Sequence, residues 1–153
     1  MAILMVHPIL ALALIWTFMR QRSWRREREG LLGSERTSAL KAHEKSGNRI
    51  MAYLLVVILV AFTAQIVDAI ILGQSTEEAL RQLIPNHYHG WAGILALALM
   101  GSLWYLGRKT SSLSREGESI VKIKDLHGRL GDVMAVLVII HAFLGFLYFF
   151  QIV

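Results

Sequence analysis

The sequence predicts an all-α membrane protein, a bundle of four transmembrane helices with both termini on the non-cytoplasmic side. Three observations carry that expectation. The chain is 55% hydrophobic over 153 residues, with a mean hydropathy of +0.50, more apolar than water-soluble domains of this length. The apolar residues gather in four runs, 2–19, 50–72, 91–106 and 133–153, the third giving a span of approximately 89–107. The basic residues fall between these runs. Nine of the sixteen lie in 20–49 and six in 107–132, while 73–90 holds only Arg81. Basic segments of this kind stay on the cytoplasmic side, or the stromal side in an organelle.

Each element has its own justification. The first run has no basic segment before it and no small-residue cleavage site after it, so it reads as a retained helix rather than a signal peptide. The second and fourth runs are long enough to cross a hydrocarbon core of ~30 Å at ~1.5 Å per residue. The third reaches that length when residues 88–90 and Gly107 join it. Period-two alternation is missing from all four, which selects helices over a barrel. The second helix is expected to start early, capped by Thr37 or Ser38, and the fourth near Ser119. Residues 75–83 read as a short amphipathic helix capped by Ser75 or Thr76, with Glu77 and Glu78 in its first turn. Segment 107–118 reads as the most flexible stretch, and no internal repeat of fixed period is apparent. The whole chain is one domain.

Composition excludes several functions. The net charge of +5 is accounted for by residues flanking the spans, so lipid is the expected partner and nucleic acid is not. The absence of cysteine excludes disulfides, thiolate metal sites and cysteine-bound haem.

The histidines carry the chemistry. There are six: His7, His43, His87, His89, His127 and His141. Imidazoles in or near a span are costly to bury and point to function; the alternative is an interfacial residue bonded to water or backbone. His43, His89, His127 and His141 each have a glycine four residues later, Gly47, Gly93, Gly131 and Gly145. That spacing lies on one helix face. A face cleared beside an imidazole admits a large flat group such as a porphyrin, whereas helix packing is the competing use of the same glycines. His87 has Trp91 at that spacing and reads as interfacial. The charge pattern puts His43 and His127 toward the basic side and His7 and His89 toward the outer side. His141 lies fourteen residues beyond His127, about 21 Å along a helix. Ligand pairs at two depths imply two haems. Zinc, which needs three or four clustered ligands, fits a set split across two faces poorly.

His7-Pro8 near the outer end of a span, His43 before the next, His89-Gly90-Trp91 opening a third and His127 with Gly131 opening a fourth resemble the four-helix core of the cytochrome b561 family. The pattern is similar, closer still, to small four-helix membrane proteins of cyanobacteria and plastids. The resemblance implies two b-type haems, one bound by His7 and His89 and one by His43 and His127, in a thylakoid or plasma membrane. Two departures matter. The b561 proteins usually have six helices, so their ascorbate site does not carry over. His141 has no counterpart in that core; its spacing from His127 resembles the quinol-oxidising cytochromes b, which makes it the alternative outer ligand. His7–His89 is the preferred pairing.

The function expected is therefore a b-type dihaem cytochrome, possessing haem iron as its metal and moving electrons across or within a membrane. Lys122, Lys124 and Arg129 are candidates to pair with haem propionates, or are simply flanking charge. The alternative is a non-catalytic helical subunit or assembly factor of a larger membrane complex, with other membrane-protein subunits as partners and with haem, chlorophyll or neither. A small transporter using Gln65 and Asp68 is the third reading.

Overall fold

In the computed structural model, residues 2–27 and 30–152 are described. They form five helices in the order α1 (Ala2–Glu27), α2 (Gly33–Ile71), α3 (Thr76–Gln82), α4 (Tyr88–Arg115) and α5 (Val121–Ile152). The expected four-transmembrane-helix bundle is corrected on this point. Among the described residues three helices, α2, α4 and α5, are long and apolar enough to cross a membrane. The reason lies in the other two. Over residues 5–24 of α1 the apolar run gives way to Arg20 and Arg22 inside the same helix. The fifth helix, α3, has only seven residues.

The segments expected to be basic loops are largely helical. α2 starts at Gly33, ahead of the expected Thr37 or Ser38 cap, with Leu32 at the capping position and no side-chain cap bond. Thr37 instead turns its hydroxyl back to the Gly33 carbonyl at 3.2 Å. The stretch 107–118, expected to be flexible, continues α4 as far as Arg115. Its hydroxyls are satisfied within the helix and across to α2: Thr110 Oγ1 donates to the Leu106 carbonyl at 2.8 Å, and Ser111 Oγ donates to Glu44 at 2.6 Å.

Helix ends follow local chemistry. α2 and α4 both stop in Schellman motifs. Gly73 at φ +70° and Gly117 at φ +77° supply the left-handed residue, and the next amides, Gln74 and Glu118, bond back to Ala69 and Leu113. α3 is capped by Ser75, one of the two caps expected, which forms a reciprocal capping box with Glu78.

α4 packs along α5 and α1 along α2, with α2 touching α4 and α1 touching α5. Phe18, Ile50, Met100, Leu103, Met134 and Val138 lie in one buried core shared by α1, α2, α4 and α5. Outside it, large apolar side chains such as Trp16, Leu59, Trp91, Phe143 and Phe146 stay exposed. So broad an apolar exterior suits hydrocarbon surroundings rather than water.

Candidate functional site

α4 and α5 run antiparallel and exchange a matched pair of contacts. His89, in the first turn of α4, donates from Nδ1 to the carbonyl of His141 on α5 at 3.1 Å. His127, in the second turn of α5, donates from Nδ1 to the carbonyl of Leu103 on α4, also at 3.1 Å. A carbonyl only accepts, so each Nδ1 carries a proton, and in the neutral ring the lone pair is then on Nε2. The two contacts lie fourteen residues apart along either helix, about 21 Å.

Each anchored imidazole faces a second one from the other helix pair. The His7 and His89 ring centroids are 6.3 Å apart with planes at 74°, and those of His43 and His127 are 6.5 Å apart at 82°. The groups sorted by depth in the sequence are thus near neighbours. Around His89 the outer cluster is aromatic. His141 stacks on it at 4.1 Å and 21°, and Tyr148 stacks on His87 at 3.9 Å. Among the described residues, the buried Nδ1 atoms of His7 and His141 have no hydrogen-bond partner. His87 is the N-cap of α4, its Nδ1 accepting from the Gly90 amide at 3.0 Å; burial pushes its pKa below the usual imidazole range.

The inner pair borders a cavity of about 420 Å³ whose wall includes Trp24, His43, Lys124, His127, Gly128 and Gly131. Trp24 stacks on His43 at 4.4 Å, and Gln21 donates to the His43 carbonyl at 2.7 Å, fixing α1 against α2 there. At the same end Arg22 of α1 grips Asp132 of α5 through Nε at 3.1 Å and a terminal nitrogen at 2.9 Å.

The glycines divide by task. A Cβ on Gly145 would stand 2.8 Å from His89 Cε1, one on Gly93 3.2 Å from His141 Cε1, and one on Gly107 3.2 Å from His127 Cε1. These three make room for an imidazole of the opposite helix. Gly93, expected to clear space for a flat group beside its own histidine, is therefore reassigned. Gly131 meets only Leu103 Cδ1 at 3.9 Å and Gly47 only Gln21 Nε2 at 3.7 Å, both ordinary contacts, and Gly131 opens on the cavity. Gly107 went unrecognised in the sequence. The signal that finds it is a repeat at an offset of 38 residues: His89-Gly90, Gly93 and Tyr105-Leu106-Gly107 correspond to His127-Gly128, Gly131 and Phe143-Leu144-Gly145. The expectation of no fixed-period repeat is corrected accordingly.

The remaining candidates lie apart from the pairs. Arg129 is committed to Asp125 at 2.9 Å on the surface, Lys122 is exposed, and Gln65 and Asp68 sit half-buried near the end of α2. Among the described residues no three or more histidine, aspartate or glutamate side chains gather into a metal-ion site. Comparison with protein families, with curated proteins and with solved structures finds no match to this chain.

Proposed function

We propose that the protein is a b-type dihaem cytochrome carrying electrons across or within a membrane, with haem ligand pairs His7–His89 and His43–His127. One observation carries this reading: two imidazole pairs with centroids 6.3 and 6.5 Å apart. Two imidazole nitrogens bound to one metal at ~2.0–2.1 Å each put the ring centroids roughly 6.4 Å apart. His89 and His141, stacked at 4.1 Å, are too close to hold a metal between them, which favours His7 over His141 as the partner of His89.

The donor chemistry agrees. Metal-bound histidines commonly give their other ring N–H to a backbone carbonyl, which fixes tautomer and ring orientation; His89 and His127 do so. The open face at Gly131 and the cavity it borders offer room beside the inner pair. Bound haem supplies reversible one-electron chemistry. The chain's own residues hold and orient the imidazoles and space the two sites by about 21 Å along α4 and α5. The end rich in arginine and lysine, where His43 and His127 lie, faces the cytoplasm or stroma of a plasma or thylakoid membrane in this reading.

A reduced-minus-oxidised absorption spectrum of protein made with ample haem tests the proposal. A b-type band is expected. No haem in a folded chain overturns it, and retention of chlorophyll instead favours a pigment-carrying subunit of a larger complex.

A further inference from the structure

The α4–α5 pair consists of two equivalent halves. His89 and His127 each donate to a carbonyl of the opposite helix, at positions 141 and 103. Each nests on a glycine of that helix, Gly145 or Gly107. All of these positions correspond at the same offset of 38 residues. One pair of equivalent positions breaks the symmetry in chemistry: 103 is leucine and 141 is histidine. Both face the corresponding glycine, Leu103 with Cδ1 3.9 Å from a Cβ on Gly131 and His141 with Cε1 3.2 Å from one on Gly93. Leu103 contributes an aliphatic group to the buried core. His141 lays a polar ring against His89 at 4.1 Å and 21°.

We propose that His141 is a positioning residue that makes the outer haem site differ from the inner one in electron affinity, acting through its stack on His89 and not as a ligand. The inference rests on the dihaem reading. Oxidised bis-imidazole haem carries one more positive charge than the reduced form, so polar surroundings favour the oxidised state and apolar surroundings the reduced state. A polar ring against His89 lowers the electron affinity of the outer site, whereas Leu103 gives the inner site no such group. Electrons then run downhill from the outer pair toward the basic end, and His141 contributes to that direction from a position where the equivalent residue of the other half is leucine.

The test is a redox titration of haem absorption in the purified full-length chain, using His141→Leu, which copies the equivalent position, and Leu103→His, which copies the other. The outer site is also measured alone in a His43→Ala background. His141→Leu is expected to keep both haems and to raise the reduction equilibrium constant of the outer site about tenfold, ~59 mV for one electron. The inner site stays where it was. Leu103→His is expected to lower the inner site, and it carries the test alone where His141→Leu does not accumulate. Unchanged potentials with both haems retained overturn the inference and leave the dihaem reading standing. Loss of the outer haem in His141→Leu but not in His7→Leu also overturns it, by making His141 the ligand. A wild-type chain without haem overturns the dihaem reading itself.

Discussion

The imidazole of His89 sits where any side chain on Gly145 would be: a Cβ there would stand 2.8 Å from His89 Cε1, and the Nδ1 of the same ring is held at 3.1 Å by the His141 carbonyl. One helix therefore supplies both a socket and a hydrogen-bond acceptor for the ring of the other. Gly145→Ala is expected to push His89 out of register and to empty the outer site while the inner site remains. Overpacking of this kind costs ~1–3 kcal/mol. Haem per chain, measured beside a thermal unfolding curve, separates loss of the site from loss of the fold.

Gly131→Ala supplies the contrast. Its nearest neighbour, Leu103 Cδ1, would be an ordinary 3.9 Å contact, and alanine is the better helix former by ~1 kcal/mol. The apo chain is expected to be as stable as wild type or slightly more so. Crowding appears only on the cavity side, as weaker retention of the inner haem under competition with a haem-binding acceptor protein.

The link between Arg22 and Asp132 ties α1 to α5, but the two side chains are 41% and 46% exposed. Ion pairs this open contribute ~0–1 kcal/mol. Arg22→Gln is expected to shift unfolding by no more than that, with an effect that shrinks further as salt is added. A loss of several kcal/mol would show that the pair does more than join two helices.

α3 carries a pH dependence of known sign. Hydrogen bonds from the Ser75 backbone and side chain hold Glu78 below the usual carboxylate range. A depressed folded-state pKa means stability that is present above the unfolded value and lost as pH falls through the folded one. Protection of the α3 amides, taken relative to the intrinsic exchange rate at each pH, is therefore expected to fall on acidification below the ordinary carboxylate range, and Ser75→Ala, which removes the cap, removes most of that dependence.

Helical character and the α3 cap were legible because each depends on residues close in sequence. Apolar runs without period-two alternation predict helices, and Ser75 or Thr76 ahead of Glu77 and Glu78 predicts a capped helix start, of which Ser75 is the cap. The four-span bundle was not legible correctly. Apolar run length does not reveal that α1 continues from its apolar half into Arg20 and Arg22, nor that Thr110 and Ser111 find partners that keep α4 helical to Arg115. The glycines show a further limit. Spacing at i+4 links Gly93 to His89 on its own helix, whereas the contact that needs the glycine comes from His141 across the interface. Packing between helices depends on register, and here register becomes readable only through the 38-residue offset between α4 and α5.

The most direct measurement is the haem-to-protein ratio of the detergent-purified chain, taken for wild type, His43→Ala and His7→Ala. Two b-type haems per wild-type chain are expected, falling to one in each variant, with the remaining haem differing between them in its titration. No haem in wild type, or two in both variants, would contradict paired ligation by His7 with His89 and His43 with His127.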